Sequence, residues 1–344
     1  MTALRLVTVG AAAVAAIVPM PAAWVERWYS RGFYLALQNQ VTAVTNIVPI
    51  ALLDVAVAAV VAALFVVLWR RSRRAGVARA ALQTSISLAV TVAAIYLGFL
   101  VMWGLNYRRV PLDQKLDFDL ARISPAAARQ LGDLAVDRVN AIRAGREQPR
   151  SSPELARAFE TALDRLGSGR AAPGVPKASL LGHYFRIAAI DGMTDPIFLE
   201  IIVNPDVLPF ERDFVVAHEW AHLAGYASEA EANFVAWLTC VSGDLDSQYS
   251  AWLNVYENVW GVLPRADRAA VSARLIDRVR DDLRAVAARY EESTPVVRDT
   301  ARDVYDSYLR ANRVREGIAS YTGVVRLLLG AGVAEGRLPT VTAR

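Results

Sequence analysis

The sequence predicts a mainly helical fold in which N-terminal transmembrane helices precede an α+β domain with a small sheet. Three observations predict it. Of the 344 residues, 54% are hydrophobic and the mean hydropathy is positive, yet the apolar excess is concentrated before residue 105. Amphipathic helical patterns fill most of the remainder. One short β-branched run interrupts them.

The apolar excess falls into three runs, Leu6 to Val25, Ile47 to Trp69 and Leu82 to Trp103. Each reaches the ~20 residues that a helix needs to cross ~30 Å of hydrocarbon. Trp69 and Trp103 close the second and third, where interfacial aromatics belong. Residues 1–105 therefore read as a membrane anchor with spans at about 6–25, 47–69 and 82–103. The first run has a second reading as a cleaved signal peptide, because "MPAAW" offers small residues. The aromatics Trp24, Trp28, Tyr29, Phe33 and Tyr34 look like an interfacial helix continuing from it. Asp54 lies inside a span, which raises a functional hypothesis, but its place in the outer third gives it interfacial water and a structural reading.

"RRSRRAGVAR" at 70–79 carries five arginines between spans two and three. The positive-inside rule puts that loop in the cytoplasm and everything after Trp103 outside, against the pull of Arg108, Arg109 and Lys115. The expectation is a multi-pass protein of the cell membrane with an extracytoplasmic domain over 106–344.

In that domain, "GREQPRSSPE" (145–154) and "GSGRAAPGVP" (167–176) read as loops. Arg265 to Glu292 reads as one amphipathic helix, with Val271, Leu275, Val279 and Leu283 at four-residue steps. "FLEIIVNP" (198–205) reads as a strand, and His183 to Ile190 as a second. Net charge is +4, and the arginines are mixed with acids rather than interleaved with aromatics, so no nucleic-acid partner is expected. Cys240 is the only cysteine; it cannot form an intrachain disulfide and reads as a small buried hydrophobe.

"VVAHEWAHLAGYASEAEANFVAWL" (215–238) holds two of the three histidines. Asp213 to Ala224 has helix-forming composition, and Gly225 can end it. Residues four apart share a helix face, so His218 and His222 point the same way. This is H-E-x-x-H on an apolar helix, whose histidines bind zinc while the glutamate takes a proton from zinc-bound water. Zinc in catalytic sites has three protein ligands and water, lowers the pKa of that water to about 7 and polarises a carbonyl. Ser228 followed by Glu231 is a capping-box pattern. That gives Glu231 a structural role and favours Glu229 as third ligand, with Asn233 supporting a ligand from behind.

"HEWAHLAGYASEAEANF" resembles domain-of-unknown-function family 3810, a group of bacterial membrane proteins with zincin-like motifs. The resemblance extends to "WVERWYS" (24–30) and "YLRANRVREGIASYTGVV" (308–325) and covers most of the chain. It implies a membrane anchor and a gluzincin-like metallopeptidase domain, with no established substrate. Glu229 to Asn233 is similar to the E-x-x-A-D of integral-membrane CAAX-type zinc proteases, but Asn233 replaces the aspartate and the gap after His222 is shorter. "HEWAHLAG" also matches the opening of the metzincin motif, which wants a third histidine where this chain has Ser228. A glutamate-type site is therefore preferred.

The resulting expectation is a membrane zinc peptidase: His218, His222 and Glu229 hold Zn2+, Glu219 is general base, and the substrate is a peptide or protein of the envelope. The rival is a non-hydrolytic, zinc-stabilised membrane scaffold or sensor. His183 reads as a surface or core histidine before a catalytic one. Tyr321 reads as a packed aromatic before an oxyanion donor. In related zincins an edge strand before the active-site helix pairs with substrate, and "FLEIIVN" stands in the matching place.

Overall fold

The computed structural model describes residues 2–75, 77–146, 150–312 and 323–341. It is mainly helical with one three-stranded sheet. The chain begins with α1 (Thr2–Ile17). It then bends by 109° into the helix Ala22–Thr45, so the aromatic stretch does not continue the first run but turns away from it. This second helix comprises α2 (Ala22–Trp24), a π-helical stretch (Val25–Phe33) and α3 (Tyr34–Thr45).

α4 (Leu52–Ala75) and α5 (Val77–Met102) follow and lie against one another, and α1 lies against α5. The arginine-rich segment at 70–79 is thus mostly helix rather than loop, and only residue 76 lies outside the described residues there. Among the described residues, Leu52–Arg70 is long and apolar enough to cross a membrane, α1 passes only together with Ala22–Thr45 as a bent pair, and Ser87–Met102 is a shorter apolar helix.

These helices meet the rest of the molecule at matching ends. Arg108 donates to the Ala15 carbonyl near the end of α1 (2.6 Å). In the first turn of α4, Leu53 N donates to Glu200 (3.1 Å), and Asp54 accepts from Ser179 Oγ (2.6 Å) and Leu180 N (2.8 Å). Asp54 therefore has structural partners at the foot of its helix. α5 runs directly into buried Trp103.

The remaining helices are α6 (Pro125–Ala144), α7 (Leu155–Arg165), α8 (Gly182–Ala188), α9 (Pro209–Leu223), α10 (Glu229–Val241), α11 (Leu245–Val262), α12 (Arg265–Ala273), α13 (Asp277–Glu291), α14 (Pro295–Ala311) and α15 (Gly323–Gly330). α9 packs against α10 and α11, and α11 against α6. Two expectations are corrected here. Arg265 to Glu292 is two helices, because the chain breaks at Arg274–Ile276, where Asn140 takes over: its amide donates to Arg274 O and its carbonyl accepts from Ile276 N. His183 to Ile190 is not a strand; Gly182–Ala188 is a helix, closed by Ala189 in the left-handed conformation.

The sheet has order β1 (Pro176–Lys177), β3 (Glu200–Val203), β2 (Gly192–Asp195). β1 runs parallel to β3, and β2 antiparallel, with Asp195 opposite Glu200 and Gly192 opposite Val203. "FLEIIVN" thus supplies the central strand, not an edge. All four residues of β3 are buried, as expected for a β-branched run covered on both faces. The edge beside α9 is β2.

One apolar core runs through the molecule without a break at Asn106. Val25, Tyr29, Tyr34, Leu35 and Trp103 belong to the same buried cluster as Phe214, Ala221, Phe234 and Trp237. Cys240 is buried in that core.

Candidate metal centre

α9 starts with Pro209 at its first turn, and Glu211 reaches back to accept from Leu208 N (3.2 Å). It ends in a Schellman arrangement. Gly225, at φ +82°, donates to His222 O (2.9 Å), and Tyr226 N donates to Ala221 O (3.0 Å). A side chain at Gly225 would meet Asn106 Oδ1 at 2.9 Å, so both the backbone angle and the space call for glycine. The sharp turn folds α10 back against α9.

This return brings His218, His222 and Glu229 together, with one ligand atom of each within 4.8 Å of the others. The two Nε2 atoms are 3.1 Å apart. Glu229 Oε2 is 3.2 Å from His218 Nε2, and Oε1 is 3.6 Å from His222 Nε2. Glu229 is 1% exposed, and Oε2 makes no well-directed hydrogen bond. The Tyr305 hydroxyl, from α14, donates to Oε1.

The far side of each ring is also fixed. His222 Nδ1 is 2.7 Å from the Tyr226 carbonyl, which can only accept, so Nδ1 carries the hydrogen and a neutral ring turns its Nε2 lone pair toward the cluster. His218 Nδ1 is 2.8 Å from Asn233 Oδ1, which acts on that ring in the same way. Two imidazole lone pairs and a carboxylate then face one another in a buried space. They repel unless a proton or a metal cation is shared among them. Burial pulls His222 down, but Glu229 outweighs it and pushes the imidazole up to about 9. Burial alone would raise Glu229, yet the two imidazoles hold it well below the usual carboxylate range. The donor set of two nitrogens and one carboxylate, each oriented from behind, suits a tetrahedral zinc with one position left for water or substrate.

Glu219 sits beside the cluster and is not part of it. Its Oε2 accepts from Thr194 Oγ1 of β2 (2.7 Å), and the same hydroxyl reaches the Glu219 carbonyl (3.0 Å). The carboxylate lies so close to β2 that a Cβ at Gly192 would stand 2.7 Å from Oε1. Burial raises its pKa, against the pull of His218 and His222.

Glu231 is also buried, but not as a cap. The Ser228 side chain makes no capping bond, and Glu231 Oε1 instead accepts from Leu112 N (2.6 Å) near Lys115 and Arg109. The capping-box reading is corrected because Glu231 accepts instead from a backbone N–H of a segment far away in sequence. His183 lies exposed on α8, outside the cluster, and Tyr321 lies outside the described residues.

Four carbonyls at the end of α9 are held by side chains that the sequence pattern did not single out for the site. Trp103 Nε1 donates to His222 O (2.9 Å), Tyr34 Oη to Leu223 O (2.8 Å), and Arg109 to Ala224 O (3.5 Å) and Gly225 O (2.9 Å). A helix leaves its last carbonyls unsatisfied and its C-terminus partly negative, so two neutral donors and a guanidinium complete it. Arg109 is itself held by a bidentate pair with Glu26 (2.8 and 2.9 Å).

A family model described as protein of unknown function (DUF3810) matches residues 29–329. The chain belongs to this family. The match takes in both the helix Ala22–Thr45 from Tyr29 onward and the α9–α10 centre, so family 3810 unites the parts that the core joins. Comparison of the chain with curated proteins and with solved structures gave no match.

Tyr305 and Thr194 were not foreseen from the sequence of this family member. Tyr305 and Tyr308 stand three apart on α14 and stack at 5.9 Å, so an aromatic pair on an otherwise charged helix was the available signal. Thr194 offered none.

Proposed function

We propose that this chain is a membrane-bound zinc metallohydrolase acting on peptide bonds. The observation that carries the reading is the convergence of His218, His222 and Glu229 within 4.8 Å, with each ring turned toward the others by an acceptor behind it. These three residues would hold the zinc. When bound, zinc supplies Lewis-acid polarisation of a carbonyl and a water acidic enough to act near neutral pH.

The rest of the chemistry belongs to the protein. Glu219 is the general base. Its burial makes the carboxylate more basic than one in water, and the Thr194 hydroxyl keeps it aimed from one side. It takes the proton of the attacking water and delivers it to the leaving amine. His218 has the most exposed side chain of the three candidate ligands, at 14%, so substrate approaches from its side. The free edge of β2 offers main-chain groups to an extended peptide, and Thr194 on that strand touches the base. α1, α4 and α5 are the anchor, with α4 as its strongest span. The N-terminus and the arginines at 70–79 face the cytoplasm, and the α9–α10 centre faces outward.

The test is Glu219→Gln in purified, zinc-loaded protein. The variant should keep its metal and lose peptide hydrolysis by roughly 10²–10⁴-fold or more. Zinc retained by a wild-type protein that cuts no peptide would favour a zinc-stabilised scaffold instead.

A further inference from the structure

We infer that the substrate is a polypeptide tethered to the same membrane and cut in the stretch beside its anchor. This rests on the hydrolase reading and names its substrate class.

The centre is built on the feet of the apolar helices. On one side, Trp103 follows the last residue of α5 and donates to the carbonyl of His222 itself. The apolar part of α5, Ser87–Met102, ends one residue before Trp103, an indole of the kind found where hydrocarbon gives way to headgroups. On the other side, β2 leads from the base to α4. Thr194 touches Glu219, the next residue Asp195 pairs with Glu200, and Glu200 accepts from Leu53 N in the first turn of α4. Successive strand residues rise about 3.3 Å and point to opposite faces, so the residue that touches the base is one step along the edge strand from the residue opposite Glu200, whose side chain reaches the foot of α4 from the other face of the sheet. A peptide laid along β2 has one end at the membrane surface.

The outer face of the helix 22–45 continues that surface. Its inner side is bound to the domain: Gln38 Nε2 donates to Ala172 O (2.8 Å) and Thr42 to Leu199 O (2.7 Å). Its outer side exposes Trp24, Trp28 and Phe33, with Arg27 lying over the Trp28 ring at 5.0 Å. Exposed tryptophan beside arginine, on a helix that leaves α1 at 109°, is the composition of a helix lying in the headgroup plane. This face and the edge strand thus both adjoin the ends of the apolar helices, α1 on one side and α4 on the other. A chain diffusing in solution must reach a site flanked by lipid, whereas a tethered chain is presented to it at high local concentration.

The experiment uses full-length, zinc-loaded protein in vesicles of phosphatidylethanolamine and phosphatidylglycerol. It compares random-sequence peptides with an N-terminal palmitoyl chain, the same peptides without it, and palmitoylated peptides with a stiff 20-residue polyproline spacer before the random segment. New termini are read by mass spectrometry. Acylated peptides should be cut about tenfold faster or more than free ones. Their cuts should fall within about ten residues of the chain, which fully extended span ~35 Å. The spacer should abolish cleavage of the random segment, because its extended chain of about 3.1 Å per residue moves that segment some 60 Å outward, beyond the ~35 Å reach, while keeping it tethered. Equal rates on free and acylated peptides, or cuts that follow the random segment past the spacer, overturn the inference and leave the hydrolase intact. If wild-type protein holds zinc and cuts none of the three sets, the hydrolase reading fails and the inference with it.

Discussion

The candidate ligands and the base come from one short stretch, His218 to Asn233, touched from outside it by Tyr305 and Thr194, whereas the groups that hold the end of its helix come from the N-terminal third. His218, Glu219, His222, Glu229 and Asn233 are joined by one helix, one glycine turn and a second helix. Trp103, Tyr34 and Arg109 reach the carbonyls of 222 to 225 from more than a hundred residues away. Chemistry is local in this chain and its support is not. The helices that the sequence marks as an anchor are, at their feet, part of the wall of the centre.

The comparison makes a sharp claim about the two buried glutamates of α10, since only Glu229 belongs to the local set. Glu229→Gln should weaken zinc binding by more than the roughly 10–100-fold that loss of an outer partner costs, because a neutral amide is a poor ligand. Glu231→Gln should retain zinc, since a glutamine oxygen can still accept from Leu112 N. Titration of each purified variant with a chelator reads both. Zinc lost from the Glu231 variant and kept by the Glu229 variant would reverse the roles.

On the distant side the largest effect belongs to Arg109. Arg109→Met takes the bidentate partner from Glu26 in a nearly buried place, leaving it the single contact with Lys115 (3.0 Å), and also uncaps α9. Breaking one side of such a pair costs about 3–5 kcal/mol. The double variant Arg109→Met with Glu26→Leu should recover much of that loss in denaturant unfolding. No recovery would mean that the carbonyls of Ala224 and Gly225, not the ion pair, dominate.

Asn233 tests how far the local set extends. It lies behind His218, and Asn233→Ala should cost roughly 10–100-fold in zinc affinity while leaving the unfolding midpoint of the metal-free protein nearly unchanged. A large loss of metal-free stability would place Asn233 with the supports.

How much was legible follows the same division. The helix Asp213 to Ala224, its end at Gly225, and the grouping of Glu229 with Asn233 could be read because a 3.6-residue period and a left-handed glycine act within a few residues. Four of the misreadings are places where a distant partner decides. Glu231 meets Leu112 instead of its own helix start. "FLEIIVN" is covered by β1 and β2 on its two sides, which no pattern within the strand reveals. The break at Arg274–Ile276 is set by Asn140, from α6. A 109° bend after α1 follows from how the helix 22–45 docks on the domain, and its own residues look like a simple continuation.

The smallest predicted effect is the most pointed test of whether the anchor's foot belongs to the centre. Trp103→Phe keeps most of the aromatic bulk beside Tyr107 and His222 but removes the indole donor to His222 O. The His222 carbonyl keeps its bond from Gly225 N, so the loss is that of one hydrogen bond, about 0.5–1.5 kcal/mol. Tryptophan to phenylalanine also trims some packing, which lowers stability wherever it occurs. The two causes separate by readout. Lost packing lowers the unfolding midpoint alone. A lost bond to the backbone of a candidate ligand also lets the His222 ring drift from Glu229, so zinc affinity should fall severalfold along with the midpoint. Val259→Ala, a core truncation on α11, is the control and should lower the midpoint while leaving zinc affinity near wild type. If Trp103→Phe behaves like that control, the foot of α5 is packing and nothing more. If zinc affinity falls with it, the foot of α5 is a working part of the candidate metal centre.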